Sequence, residues 1–161
     1  MFSGNNLIAL LWWGAYTVAA VWLHRFVPGV DLFAPGIVLS LQEDGGRRTL
    51  WLALCWMLII EGTGNLPFGY GLAWYGVLLV LYLLGRSVFE ARSLVFMCLL
   101  GLALGALHPV ITHGLASLAE LTVNDRQLLL EGALQAAFFP VIWVIAGKAF
   151  PKVLRQDVKP L

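Results

Sequence analysis

The sequence predicts an all-α integral membrane protein, a bundle of five to six transmembrane helices forming a single transmembrane helical domain over residues 1–161. Apolar residues make up 60% of the chain and charged residues only 12%, whereas about a quarter of the residues in soluble proteins are charged. The apolar residues gather in long uncharged stretches, namely 7–23, 49–60, 62–85, 93–119 and 132–147. None of them alternates with the period of two that a barrel requires, so we predict helices.

The stretches differ in how well they fit a membrane span. Stretch 7–23 is predicted to be a retained first span, because it lacks the basic start and the small-residue cleavage site of a signal peptide. Residues 32–41, which begin near Pro35, are too few to cross a core of about 30 Å upright. They form either a short helix packed against protein or an interfacial segment. Stretch 49–60 is also short, unless Glu61 lies at the membrane edge or inside the bundle.

The placement of lysine and arginine predicts the orientation of the chain, because these residues favour cytoplasmic loops. With six spans and both termini inside, the cytoplasmic segments hold Arg47, Arg48, Arg86, Arg92, Lys148, Lys152, Arg155 and Lys159. Arg25 and Arg126 fall outside. If residues 32–41 do not cross, the N-terminus moves outside, but the C-terminus is cytoplasmic in both arrangements. The net charge of +1 argues against binding to nucleic acid.

The seven tryptophans lie mostly toward the ends of the apolar stretches. Amphipathic rings settle at the level of the lipid headgroups. We therefore predict that they anchor the protein at the membrane surface, in preference to forming an aromatic ligand box.

Glu61 is the most prominent titratable candidate, because it ends an apolar stretch and precedes a glycine-rich turn that contains Gly64, Gly69 and Gly71. A carboxylate inside a membrane is costly and is therefore a functional candidate. A glutamate in the headgroup layer is the alternative, and the sequence leaves both open. The glycines predict a tight turn that needs positive φ or close packing.

The remaining residues give no reason to predict catalysis, a metal or a cofactor. His108 and His113 are five residues apart, which places them about 140° apart on a straight helix and not on one face. Nucleophile, zinc-protease, P-loop and dinucleotide motifs are missing from the sequence. Cys55 and Cys98 lie inside apolar stretches and are predicted to be buried hydrophobic residues.

Gly101 and Gly105 form a G-x-x-x-G pair within stretch 93–119. Small residues at this spacing let two helix backbones approach closely in a membrane. We predict a helix contact there, either within the chain or with a partner. Pro109, in the same stretch, predicts a kink.

The segment from Phe33 to Gly105 resembles the rod shape-determining protein MreD family. The resemblance is carried by Phe33-Ala34-Pro35 at the start of a short apolar helix, by the loop with Arg47 and Arg48, and by Glu61-Gly62-Thr63-Gly64 followed by Phe68-Gly69-Tyr70-Gly71. A clean apolar span, a basic loop and a further apolar span follow. Members of the family usually carry aspartate at the position of Glu61.

The resemblance implies a six-helix bundle in the bacterial inner membrane, similar in fold to the substrate-binding subunits of energy-coupling-factor transporters. It implies a non-catalytic adaptor of the cell-elongation complex, surrounded by membrane lipid. Its partner would be an MreC-like single-span protein, connecting MreB with the peptidoglycan synthase and transpeptidase. The candidate structural or partner-contact residues are then Pro35, Glu61, Gly64, Gly69, Gly71, Gly101 and Gly105.

Two other hypotheses remain. The first is a substrate-binding subunit of a vitamin transporter, with a pocket open to the outside in which Glu61 and nearby aromatic residues hold the ligand. The second is an intramembrane enzyme that uses Glu61 with His108 or His113. The chain shows no internal repeat of the kind that most secondary transporters carry.

Overall fold

The computed structural model of the chain describes residues 4–27, 29–43, 46–63 and 69–155. The described residues form six α-helices and one short 3₁₀ turn, Lys152–Leu154. The helices are α1 (Gly4–His24), α2 (Ala34–Glu43), α3 (Gly46–Thr63), α4 (Tyr70–Gly85), α5 (Leu94–Leu118) and α6 (Asp125–Ala149). The fold is therefore all-helical within the described part of the chain.

Three of these helices are long and apolar enough to cross a membrane: Asn6–His24 within α1, the whole of α5 and the whole of α6. Helix α4 is apolar as well, but with 16 residues it is shorter. Helix α5 continues through Pro109. The chain is thus consistent with a multi-pass helical membrane protein.

Helix α2 is a short helix enclosed by protein. Its ten residues span about 15 Å at 1.5 Å per residue, half of a bilayer core of about 30 Å. Pro35, Ile37, Val38 and Ser40 are all buried, and the helix packs against α6, α3 and α4. Of the two alternatives for residues 32–41, the structure selects the packed helix over the interfacial segment.

The C-terminal end of α2 is fastened by polar side chains. Gln42 donates to the carbonyl of Ala91 at 2.6 Å and accepts from Trp143 Nε1 at 2.9 Å. Glu43 pairs with Arg92 at 3.3 Å. These contacts join the C-terminal end of α2 to the α4–α5 connection and to α6.

The closest helix contact joins α5 and α6 through small residues. A Cβ atom added to Gly105 would overlap the carbonyl oxygen of Gly132 and lie 2.8 Å from Cβ of Ala136. A Cβ on Gly101 would lie 3.0 Å from the carbonyl oxygen of Ala136. The G-x-x-x-G pair therefore lies at a contact within the chain.

Helix α1 lies at the edge of the bundle and is held mainly by aromatic rings. The ring of Trp13 lies 5.7 Å from that of Trp56, and the ring of Trp12 lies 5.0 Å from that of Phe150. Most other side chains of α1 are exposed, among them Leu10 and Val18. Rings of this size hold α1 at a distance, which leaves a groove on each side of it.

The tryptophans do not all serve as the surface anchors that their positions in the sequence predict. Trp13, Trp56 and Trp74 are buried in the core, whereas Trp22 and Trp51 are exposed. The prediction is thus wrong for the buried three, because neighbouring helices enclose their rings.

Contacts among the helix ends sort the cations to one end of the bundle. Three contacts join helix ends there. Glu43 at the end of α2 pairs with Arg92 just before α5, Arg48 at the start of α3 donates to Asn6 of α1, and Trp12 of α1 donates to Ala149 at the end of α6. We call this the basic end; it holds Arg47, Arg48, Arg86, Arg92, Lys148, Lys152 and Arg155. Arg25 and Arg126 lie at the opposite end, and Lys159 lies outside the described residues.

Candidate functional site

Glu61 caps the start of α4 from the end of α3. Its carboxylate accepts the backbone N–H of Gly71 at 2.8 Å and that of Gly69 at 3.0 Å. Gly69 has a φ of 99°, which favours glycine, and a Cβ on Gly71 would lie 3.0 Å from Met57 Cγ. A negative group at a helix N-terminus also complements the helix dipole. The described contacts of Glu61 are therefore those of a residue that closes the α3–α4 connection.

Replacing Glu61 by alanine is expected to destabilise the protein by about 1–3 kcal/mol, because two N–H groups lose their acceptor. Glu61→Gln keeps one acceptor oxygen and should therefore destabilise the protein less than Glu61→Ala does. The measurement is the free energy of unfolding in detergent micelles. Glu90→Ala, at an exposed position in the α4–α5 connection, is the matched control and should leave stability unchanged. Equal stability of Glu61→Ala and Glu90→Ala would contradict this role of Glu61.

A cluster of buried and half-buried polar side chains lies at the end of the bundle opposite the basic end. We call it the polar cluster, and it consists of Asp31, Tyr70, Trp74, His108, Glu131 and Gln135. Trp74 and Gln135 are fully buried, and His108 is 4% exposed. The cluster brings together the α1–α2 connection and the helices α4, α5 and α6.

Asp31 is the acceptor that organises the α1–α2 connection. One carboxylate oxygen accepts the backbone N–H of Phe33 at 2.8 Å and that of Ala34 at 3.3 Å. The other oxygen accepts Trp74 Nε1–H at 2.8 Å. Burial raises the pKa of Asp31, and the hydrogen bonds from Phe33, Trp74 and Ala34 oppose the rise. The carboxyl group thus fixes the start of α2 against α4.

Gln135 holds the same connection from α6. Its Oε1 accepts the backbone N–H of Asp31 at 2.7 Å, and its Nε2 donates to the carbonyl of Asp31 at 3.2 Å. Gly29 lies so close to Glu131 that a Cβ there would overlap the glutamate side chain, and its φ is 83°. The connection is therefore seated directly on the first half of α6.

His108 links α5 to α6 and α4. Its Nε2 lies 3.3 Å from a carboxylate oxygen of Glu131, and its Nδ1 lies 3.4 Å from the hydroxyl of Tyr70. Glu131 also accepts from Gln127 at 2.8 Å. His113 lies 3.4 Å from Asp125 at an exposed position. The two histidines thus have separate partners.

Five of the seven predicted candidate residues form two separate groups in the structure. Of the other two, Gly64 is not described and Pro35 lies in α2. Glu61, Gly69 and Gly71 meet at the α3–α4 connection, while Gly101 and Gly105 lie at the contact with α6. Gly64 lies outside the described residues. Pro35 is buried in the first turn of α2, which is a favourable position for proline because its missing N–H is not needed there.

Asp31 and Gln135 were not predicted from the sequence. An aspartate shortly before a helix that begins near a proline is a capping pattern, and Asp31 precedes Pro35 in this way. A glutamine inside an apolar span is also a sign of a buried polar contact. Neither pattern identifies its partner, because Asp31 and Gln135 are 104 residues apart in sequence.

Two apolar grooves flank α1. One, of about 300 Å³, lies between α1 and α6 and includes Trp12, Tyr16 and Ala146. The other, of about 340 Å³, lies between α1 and α3 and includes Trp13 and Trp51. Among the residues that the structure describes, no group of three His, Cys, Asp or Glu side chains is placed to hold a metal ion.

These features define an all-helical protein, consistent with a multi-pass membrane protein, in which buried polar contacts join the helices at both ends of the bundle. Comparison with protein-family models, with curated proteins and with solved structures gave no match for this chain.

Proposed function

We propose that this chain is a non-catalytic membrane adaptor of the MreD type, which binds an MreC-like single-span protein in the cell-elongation complex. The observation that carries the proposal is the contrast between its polar and apolar side chains. The polar cluster is engaged in hydrogen bonds inside the bundle. Apolar side chains such as Val18, Leu58 and Leu102 are exposed. A protein of this kind acts through its helix surfaces.

The distribution of charge supports a defined orientation for this adaptor. Seven of the nine described Lys and Arg residues belong to the basic end, namely all except Arg25 and Arg126. Under the positive-inside tendency, the basic end faces the cytoplasm of a bacterial inner membrane. In the proposed six-helix arrangement, both termini are cytoplasmic and the bundle is similar in fold to the substrate-binding subunits of energy-coupling-factor transporters.

Photo-crosslinking in the bacterial host tests the adaptor role. A photoreactive amino acid placed at Val18, Leu58 or Leu102, each on an exposed face, should crosslink to the MreC-like protein from at least one position. The same amino acid at the fully buried Leu78 is the matched control and should give no crosslink. Deletion of the gene should also change cell shape. Absence of any crosslink, together with normal cell shape after deletion, would reject the proposal.

The polar cluster favours a second candidate function, the substrate-binding subunit of a vitamin transporter. Buried His108 and half-buried Asp31 and Glu131 lie at the end of the bundle that would face outward. A vitamin that binds only the folded protein raises the midpoint of thermal unfolding. A vitamin screen that gives a saturable rise, abolished by His108→Ala and kept by His113→Ala, would support this function over the adaptor.

A further inference from the structure

The groove between α1 and α3 has one polar end and one apolar end. It is lined on α1 by Asn6, Ala9, Leu10 and Trp13, and on α3 by Arg48, Trp51, Leu52 and Cys55. These positions recur at the spacing of one helix face on each side. Arg48 donates to Asn6 at 3.0 Å at the basic end, so a cation marks one mouth of an otherwise apolar trough.

The floor and rims of the groove suit a hydrocarbon chain. Ala9 and Trp13 are buried and form its floor. Leu10 and Trp51, each 66% exposed, border its open side. The trough is thus lined by apolar side chains and opens laterally, in the direction from which a lipid would enter.

The dimensions of the groove favour a lipid over a partner helix. It extends from Asn6 to Trp13 on α1, which is about 10 Å of helix and less than one leaflet of a core of about 30 Å. A spanning helix, about 30 Å long, would extend well beyond it.

The charge at the mouth favours an anionic headgroup. Arg48 lies in the groove lining, and the exposed Arg47 adjoins it. Basic side chains at a membrane surface attract anionic lipids, and arginine matches a phosphate group in geometry.

We propose that the α1–α3 groove binds one anionic phospholipid, with an acyl chain between Trp13 and Trp51 and the phosphate at Arg48. The lipid would fill the gap beside a helix that is held mainly by aromatic rings. The proposal requires only that α1 and α3 lie in a bilayer, and it does not depend on the adaptor role.

Native mass spectrometry of the full chain in mild detergent tests the site. Phosphatidylglycerol and phosphatidylcholine with identical acyl chains compete for the protein, and the wild type should prefer phosphatidylglycerol about fivefold. Arg48→Gln should abolish this preference. Arg126→Gln, which removes one arginine at the opposite end, is the matched control and should keep it. Equal retention of the two lipids by the wild type, or equal effects of the two substitutions, would overturn the proposal.

Two further measurements test the place of the acyl chain. Cys55→Trp fills the groove and should abolish retention of both lipids while the protein stays folded. If Cys55→Trp does not fold, the smaller substitution Leu52→Phe serves as the groove-filling variant. Cys55 is exposed and Cys98 half-buried, so the prediction that both are buried is wrong. In a Cys98→Ser background, phosphatidylglycerol should slow alkylation of Cys55 several-fold more than phosphatidylcholine does. Undiminished lipid retention by a folded groove-filling variant, or equal alkylation rates with the two lipids, would overturn the assignment to this groove.

Discussion

Replacing Gly105 by alanine is expected to destabilise the protein by about 1–3 kcal/mol or more, the range for overpacking a close-packed contact. The added Cβ would overlap the carbonyl oxygen of Gly132. That obstacle is backbone and cannot rotate away, so α5 and α6 must move apart along the most extensive helix contact of the fold. The measurement is the free energy of unfolding of the purified protein in detergent micelles.

Gly114→Ala is the matched control for this prediction, because Gly114 lies on the same helix and a Cβ there would meet nothing within 4 Å. Alanine has the higher helix propensity, so this variant should be as stable as the wild type or slightly more stable. Gly132→Ala should reproduce the loss from the α6 side, where the added Cβ would overlap the carbonyl oxygen of Gly105. If Gly105→Ala and Gly114→Ala have the same free energy of unfolding, the close contact between α5 and α6 at Gly105 does not limit the stability of the protein.

Replacing Asp31 by alanine is expected to give the largest loss of stability within the polar cluster. Three donors lose their acceptor: the backbone N–H groups of Phe33 and Ala34 and the indole N–H of Trp74. Each buried donor left without a partner costs about 1–3 kcal/mol. Relief of the carboxylate's own burial offsets part of that sum, because a buried carboxylate is itself costly.

Asp31→Asn separates the capping role from the contact with Trp74. The asparagine oxygen can still accept from Phe33 and Ala34, whereas its amide group cannot accept from Trp74. We expect the order of stability wild type, Asp31→Asn, Asp31→Ala in thermal unfolding followed by tryptophan fluorescence. Asp125→Ala is the control, because that side chain lies near the same end and is 80% exposed. A loss in Asp125→Ala equal to that in Asp31→Ala would contradict the prediction.

Local patterns were enough to predict several parts of the molecule. The long uncharged stretches predicted helices, and α1, α5 and α6 have the length and apolarity of membrane spans. The glycines after Glu61 predicted a turn that needs positive φ, and Gly69 has positive φ at the start of α4; residues 64–68 lie outside the described residues. Each of these features depends on neighbouring residues or on bulk apolarity.

Other features depend on residues that are distant in sequence. The partner of Gln135 is the α1–α2 connection, 104 residues away. The carboxylate of Glu61 accepts backbone N–H groups at the start of α4. The sequence left open whether Glu61 lies at the membrane edge or inside the bundle, because it does not show that contact. Trp13, Trp56 and Trp74 resemble surface anchors in the sequence but are buried by neighbouring helices.

The sequence alone determined that this chain is helical and apolar enough for a membrane, because a polar backbone surrounded by hydrocarbon must satisfy its hydrogen bonds within each helix. Only the tertiary structure decided which polar groups are buried, how α2 is enclosed and where the grooves beside α1 lie. In a chain that is apolar on nearly every face, hydrophobicity does not select helix neighbours. Small residues and buried hydrogen bonds make that selection, and they act only once the helices have met.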